Sequence, residues 1–539
     1  MNLARWLIGA VLVVLLGVPL LARRSEDGDG DAARRVVILS PHNEQIRSEL
    51  GHGFSRWHEA RFGEPAAVSW STPGGTSEIR KMLVASTEAA LRDGRPIGGN
   101  ADLLFGGGSY EFKQLSKPVS VEAVELVDGE ERTVQRTGSI LAPVEIPVAM
   151  LEEIYGDGTI GDERLFDENG FWFGVALSGF GIVYNRPVLA ELGVPEPEVW
   201  ADLADPRLRR WVVLANPGQS GSVATAMEAI LQRRGWNEGW AILRRMAANS
   251  RSFVASAAKA PLDVSAGDAA AGLCIDFYGR YQAQSLRDAA LAIDEPELDR
   301  LGYVDPPGQT VIDPDPIAML TGAPDPELAK RFIEFCLSEE GQALWQFRAG
   351  SEADPTIGAP AGPDRFELRR MPVRRDLYER FADRMVDQVD PWSVASAVPD
   401  PDSSMRAFIA PIFAAAAMDR APLLQAAWDA IVEHPAYPTG GGLVRSVDVD
   451  DPTLAAMLDR FDAMPEFPGP EGVEFDLSER NSRGAVRQGW LRGGWKDAGL
   501  WPADAAPASE FRRRAGEFFE AQYLEVLRLG REASARNSA

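Results

Sequence analysis

The sequence predicts an α/β protein of two lobes facing each other across a cleft, followed by a mainly helical C-terminal extension. Three observations lead there. Short apolar runs of strand type alternate with amphipathic helical patterns, the signature of sheets whose strands are joined by helices. The early strands all end in small residues and hydroxyls, followed at once by a helix start. A second set of such units, beyond residue 170, mirrors the first. The length agrees, since 539 residues exceed one hydrophobic core.

Residues Trp6 to Leu21 are almost wholly apolar, preceded by Arg5 and followed by Arg23 and Arg24. Sixteen residues fall short of the roughly 20 that span a bilayer, and match a signal-peptide core. No clear A-x-A cleavage pattern stands there, so an uncleaved or slowly cleaved membrane anchor is expected ahead of a cleaved signal peptide. Ser25 to Ala33 reads as a tether, giving a first segment of 1–33. Either way the bulk is exported, to the periplasm or to the outer face of the cytoplasmic membrane.

The body begins with the strand-like run Arg35 to Ser40. Ile46, Leu50, Phe54 and Trp57 then recur on one helix face, with Asn43 as N-cap. Ala67 to Trp70 is a second strand, ending in Thr72-Pro73-Gly74-Gly75-Thr76-Ser77 before a helix. Asp102 to Phe105 is a third, ending in Gly106-Gly107-Gly108-Ser109. In such sheets ligands bind beyond the carboxyl ends of the strands, where helix N-termini present free N–H groups. Three ligand-facing loops follow: Ser40–Asn43, Thr72–Ser77 and Gly106–Ser109. In the second set, Ser178 precedes the run Ile182 to Asn185. Trp211 to Leu214 ends in Asn216-Pro217-Gly218-Gln219-Ser220-Gly221-Ser222, and Leu273 to Tyr278 reads as a strand. On a strand Asp276 and Tyr278 would share one face.

Charge and composition exclude several functions. Fifty-five basic against 80 acidic residues give a net charge of −25, unsuited to nucleic-acid binding. Two cysteines cannot form a disulfide framework or a four-cysteine zinc site, and Cys274 and Cys336 lie in apolar patterns that predict buried thiols. No G-x-S-x-G, H-E-x-x-H, Walker A or GxGxxG pattern stands in a suitable context, so no enzymatic activity is expected. His52 and His58 read as solvated on their helix surface.

At this point the chain resembles the periplasmic solute-binding proteins of ABC importers, more closely the branch containing ferric-iron and thiamine binders. The segments that carry the resemblance, in family order, are Ser40-Pro41-His42-Asn43-Glu44, Gly74-Gly75-Thr76-Ser77, Ala101 to Gly108, and Gly181-Ile182-Val183-Tyr184-Asn185. Asn216-Pro217 with Ser220-Gly221-Ser222, Gly235 to Trp240, Asp276-Phe277-Tyr278-Gly279, and Pro326 to Ile333 running into Ser338 to Gln342 complete the set. It covers about residues 34 to 350.

The resemblance implies a two-lobed periplasmic-binding-protein fold of class II type, closing on its ligand and hinged by two crossover strands. It places lobe 1 at 34–140 with a return segment 310–350, and lobe 2 at 141–309. The crossovers are expected at Leu141–Ala149 and Tyr303–Leu320. It implies capture of a small polar or anionic solute, or of ferric iron, and delivery to a membrane permease with its ATPase subunit. No cofactor is required, and the protein is expected to be a monomer.

His42 stands where iron-binding members carry a histidine, and Tyr278 lies near their tyrosines, so these two are the candidate metal ligands. Iron binders show adjacent tyrosines, whereas Phe277 precedes Tyr278 here. The organic alternatives are a phosphorylated compound, a sugar acid or a thiamine-like molecule. The candidate ligand-binding residues are His42, Asn43, Gly75, Thr76, Ser77, Gly108, Ser109, Ser178, Ser220, Gly221, Ser222, Asp276 and Tyr278. Two other functions stay open: an anchored ligand sensor acting through a partner, and a secreted hydrolase.

Residues 351–539 form the extension. Residues 351 to 365 have a linker's composition; helical patterns follow at Arg375–Val386, Met405–Ala417, Leu423–Val432 and from Ser509. These helices are expected to pack on lobe 1 and enlarge it.

Overall fold

A computed structural model describes residues 34–538, apart from 128–129, 296–297, 396, 399 and 503. The apolar run and tether expected at 1–33 lie outside the described residues. Two sheets organise the body. Their strands are β1 (Arg34–Leu39), β2 (Ala66–Ser71), β3 (Leu103–Phe105), β4 (Leu141–Ala142), β5 (Phe173–Ser178), β6 (Phe180–Asn185), β7 (Val212–Ala215), β8 (Ser250–Val254), β9 (Ala271–Ile275), β10 (Leu301–Val304) and β11 (Asp313–Leu320).

Lobe 1 holds the six-stranded sheet, in the order β2-β1-β3-β11-β4, with β5 also paired to β11. β1 runs parallel to β2 and β3, because the helices Glu44–Phe62 and Thr76–Asp93 carry the chain back between them. Lobe 2 holds the order β8-β7-β9-β6-β10. There β7 runs parallel to β8 and β9, while β6 is antiparallel to β9 and β10. The strands that carry the chain between lobes are thus the antiparallel members, β11 in lobe 1 and β6 in lobe 2.

The first crossover differs from the expectation. Leu141–Ala142 is an edge strand of the lobe 1 sheet, and so is Phe173–Ser178. The chain enters lobe 2 only at Gly179, between β5 and β6. Lobe 2 therefore starts some forty residues later than 141. It returns between β10 and β11, through residues 305–312, within the second expected crossover. The two connections are tied together. Phe180 N donates to Thr310 Oγ1 at 3.1 Å, and Thr310 Oγ1 donates to Phe180 O at 2.7 Å.

The extension divides between the lobes. Residues 351–395 complete lobe 1: Glu49 accepts from the backbone N–H groups of Asp364, Arg365 and Phe366, and Leu368, Met371 and Val373 join its core. The linker-like composition at 351–365 thus belongs to an ordered turn-rich segment. The chain then passes to lobe 2, where Asp402 and Gln232 exchange two hydrogen bonds of 2.8 and 2.9 Å. This makes a third passage between the lobes.

From Met405 onward the helices pack on lobe 2, not on lobe 1 as expected. One continuous core joins Met227, Trp236, Trp240 and Met246 of the Gly221–Ala248 helix to Phe408, Trp428, Phe461, Phe511 and Tyr523. The physical reason lies in that helix, which is apolar around most of its circumference and needs cover on the side away from the sheet. Buried polar groups fix the docking. Trp428 Nε1 donates to Asn249 Oδ1 at 2.9 Å, and Arg245 donates to Asp462 at 2.6 and 3.2 Å. Cys274 and Cys336 are free and buried in different lobes.

Candidate ligand-binding cleft

Between the lobes lies a cleft of about 420 Å³. Four helix N-termini meet at its walls, those of Thr76–Asp93 and Ser109–Leu115 in lobe 1 and of Gly221–Ala248 and Asp276–Ile293 in lobe 2. Each starts directly after a strand and its loop, which is how the sequence brings them to one edge. Gly75 and Gly108 hold the N-cap positions in lobe 1, where a side chain would obstruct the site. A Cβ on Gly108 would lie 2.4 Å from Asp313 Oδ2. Helix N-termini carry partial positive charge and unsatisfied N–H groups, so the edge favours an anion.

The centre of the cleft is a buried trio. Arg370, 4% exposed, donates to Asp315 through Nη1 and to Ser178 Oγ through Nη2 at 2.6 Å. His42 Nε2 lies 2.7 Å from Asp315 Oδ2 and 3.2 Å from Arg370 Nη1. Gly107 N donates to Asp315 Oδ1 at 2.7 Å. Burial opposes ionisation of Asp315, but Arg370 and His42 outweigh it and hold the carboxyl below its ordinary range. The guanidinium also faces Phe277, 4.8 Å from its ring centre. Among the described residues, Arg370 Nε and His42 Nδ1 are buried with no protein partner.

Asp313 sits one strand period from Asp315 and also lines the cleft. Burial, reinforced by the nearby charge of Glu163, pushes its carboxyl up to about 7, against the hydrogen bond from Ser109 N. Two pH effects follow. A raised folded pKa means that the native state holds a proton the unfolded chain has lost, so this group's stabilisation is present in acid. It drains away as pH climbs from about 4 to about 7, at up to about 1.4 kcal/mol per unit. Ionised Asp313 also repels an anion beside it. Anion affinity is expected to fall as pH rises past about 7, and Asp313→Asn to flatten both profiles. Urea unfolding and titrations at pH 5 and 8 check this.

The predicted residues divide. His42, Gly75, Thr76, Gly108, Ser178, Ser220, Ser222 and Tyr278 line the cleft. Asn43 caps the Glu44–Phe62 helix, its Oδ1 accepting from Ile46 N at 3.0 Å, and does not line the cleft. Ser77 donates to Glu111 at 2.9 Å, behind the loop. Ser109 turns to Glu163, also at 2.9 Å. The Gly221 carbonyl accepts from Arg406 of the extension at 3.0 Å. Ser77, Ser109 and Gly221 therefore back the site rather than line it.

Asp276 is a clear correction. The strand ends at Ile275 and Asp276 opens a helix. Two residues apart on a helix are about 200° around the axis, so Tyr278 turns to the cleft while Asp276 turns away. Its carboxyl accepts from Arg280 at 3.2 Å, and Arg280 also binds Asp305. Asp276 N donates to the Gly179 carbonyl at 3.1 Å. Burial pushes the Asp276 carboxyl up to about 6 in spite of Arg280. The group clamps the two crossovers together. His58 is a second correction: it is fully buried, bonded to the Glu64 carbonyl at 2.8 Å and 3.0 Å from Arg331.

Arg370, Asp313 and Asp315 were missed by sequence reasoning. Burial raises the Tyr278 phenol against the pull of Arg370. Among the described residues no group of three or more His, Cys, Asp or Glu side chains is placed to hold a metal ion.

The lobes nearly touch across the cleft mouth. A Cβ built on Gly75 would lie 3.0 Å from the Gln219 carbonyl, and one on Gly221 3.7 Å from the Thr76 Cβ.

Residues 151–362 match the family model described as a bacterial extracellular solute-binding protein. Over 176 residues the chain is 31% identical to the phosphoglycerate transport regulatory protein PgtC of Salmonella typhimurium, an overlap of 32% of this chain and 39% of that protein. The chain thus spans about two fifths of the length of this relative. Among solved structures, the substrate-binding protein of an ABC transporter from Agrobacterium tumefaciens is 17% identical with a TM-score of 0.48, covering 74% of this chain and 96% of its own. The periplasmic binding protein AfuA from Actinobacillus pleuropneumoniae, with fructose-6-phosphate bound, is 20% identical with a TM-score of 0.42, covering 57% and 81%.

Proposed function

We propose, from the match of residues 151–362 to the extracellular solute-binding family, that this two-lobed protein captures a small organic anion in its cleft. It then delivers the solute to an ABC permease and its ATPase outside the cytoplasmic membrane. The observation that carries the reading is Arg370, a buried guanidinium aligned with His42 where four helix N-termini converge. Its partner Asp315 is already bound by Arg370, His42 and Gly107. Ser109 N and Asp276 N are engaged within the protein, so the N–H groups offered to a ligand are those of the Thr76–Asp93 and Gly221–Ala248 helix starts. A phosphate monoester suits this set, because its oxygens accept from helix N-termini and from a guanidinium alike. The name of the Salmonella relative makes 3-phosphoglycerate the first probe. The cleft volume is within the range of small-molecule sites.

Ferric iron is the second reading, because His42 and Tyr278 line the same cleft. The Arg370 cation beside His42 and the single phenol weigh toward the organic anion. We read the protein as a monomer held near the membrane by its N-terminal segment, and as a binder without catalysis.

Thermal unfolding tests the reading. 3-Phosphoglycerate at 100 times its dissociation constant should stabilise the fold by about 2.7 kcal/mol. A shift with ferric iron and none with any phosphate monoester overturns it. Closure is tested by Gly75→Val. Gly75 has φ −73° and ψ 168°, which any residue adopts, so the new side chain meets only the opposite lobe. Affinity is expected to fall about tenfold, while stability without ligand falls by no more than about 1 kcal/mol, the cost of a poorer N-cap. Calorimetry and urea unfolding read the two quantities separately.

A further inference from the structure

A second cavity, of about 380 Å³, lies on the other side of Asp313 from the cleft. Its walls come from three parts of the chain. Lobe 1 supplies Tyr110 and Lys117, the Gly221–Ala248 helix of lobe 2 supplies Glu228 and Ala229, and the extension supplies Val398 and Arg487. The cavity is thus assembled only when the lobes and the extension stand together as they do here.

The charges around it do not cancel. Each of the four acids has its own partner: Glu163 accepts from Lys113 at 2.7 Å, Glu228 from Arg406 at 3.1 Å, Asp313 from Ser109 N at 3.2 Å and Asp162 from Val398 N, while Arg233 donates to the Ala397 carbonyl. Arg406 also faces the Tyr110 ring at 4.6 Å, linking the extension to lobe 1. Lys117 and Arg487, at the cavity, form no ion pair among the described residues, nor does neighbouring Arg492. Lys117 reaches only the Gln114 side-chain oxygen, at 3.2 Å, and Arg492 only that of Gln488, at 3.4 Å. Burial, with Arg487 and Arg492 nearby, lowers the Lys117 pKa. Lys117 and Arg492 are exposed and Arg487 half-buried, so the three cations stand at the mouth of the cavity with no acid among the described residues paired to them. Like charges gathered beside a cavity repel unless an anion sits among them.

We propose that this cavity is a second binding site, for an organic anion with an apolar body, its acid group held by Lys117 and Arg487. The apolar body fits against Tyr110, Ile160, Ala229 and Ile312. Lys117 belongs to lobe 1 and Arg487 to the extension on lobe 2, so a bound anion bridges the two and favours the closed arrangement.

The probe is 8-anilinonaphthalene-1-sulfonate, an aryl sulfonate whose fluorescence rises in apolar surroundings, titrated into the folded full chain. The expected result is saturable binding at one site, weakened at least tenfold in Lys117→Gln/Arg487→Gln. These two side chains support no core packing, so the variant folds, which near-UV circular dichroism checks. Saturating 3-phosphoglycerate, which occupies the cleft, should not displace the probe. Absence of saturable binding, equal affinity in the double variant, or displacement of the probe by 3-phosphoglycerate overturns the proposal.

Discussion

Arg370→Gln should lower affinity for a phosphate monoester at least about 30-fold, measured by calorimetric titration. Glutamine keeps a polar group but removes the fixed charge and the fork geometry through which the guanidinium reaches Asp315 and Ser178 together. The cost to binding is that of a buried charge-assisted contact, about 2–5 kcal/mol. The same change leaves Asp315, itself almost fully buried, with His42 as its one remaining basic partner. Breaking a buried pair from one side typically destabilises by about 3–5 kcal/mol, so the variant is to be titrated well below its lowered midpoint, with near-UV circular dichroism confirming the fold. Arg370→Lys serves as the companion. It keeps the charge and loses the fork, and should recover stability more than affinity. Affinity retained in both variants would remove Arg370 from the site.

Asp462→Ala is expected to destabilise lobe 2 by about 3–5 kcal/mol, read as the shift in the urea midpoint. Arg245 has no exposed surface. It lies in the Gly221–Ala248 helix, donates to both Asp462 oxygens and to the Val444 carbonyl, and faces the rings of Trp428 and Phe461. Removing Asp462 leaves a guanidinium in an apolar core, with only backbone carbonyls to receive it. If the extension were a separate module, the loss would show as an independent early transition. Because its core is continuous with that of lobe 2, a single transition should move instead.

Much of the fold was legible because periodicity is a local property. The apolar residues of the Glu44–Phe62 helix and the strand runs ending in glycine and hydroxyl loops announced both sheets and the edge where their helices begin. Where the pattern was two residues deep, it misled. Asp276 and Tyr278 suit a strand face as well as a helix start, and only the break after Ile275 decides that they point apart. An amphipathic helix shows that it has a buried face, not what covers it, so the attachment of the Arg406–Ala416 and Ala421–Val432 helices to lobe 2 could not be read in advance.

Arg370 was hidden for a related reason. It stands in Leu368-Arg369-Arg370-Met371-Pro372-Val373-Arg374, beyond the stretch that carries the family resemblance. A signal was present: arginines interleaved with apolar residues in an acidic chain are buried only with partners, and Arg369, Arg370 and Arg374 are each 4% exposed. Asp313 and Asp315, two residues apart before an apolar run, also marked one face of the returning strand. The ion pair of Asp315 with Arg370 spans 55 residues, and periodicity carries no information at that range.

The most direct measurement is a calorimetric titration of the full-length wild-type protein with 3-phosphoglycerate at pH 6, where the raised Asp313 carboxyl is mostly protonated. A parallel titration uses ferric iron with carbonate. Saturable binding of the phosphate monoester at one site, with none of ferric iron, is the result expected for an anion-binding cleft built around Arg370. Ferric binding that survives Arg370→Gln and is lost in Tyr278→Phe, with no response to 3-phosphoglycerate, would contradict it.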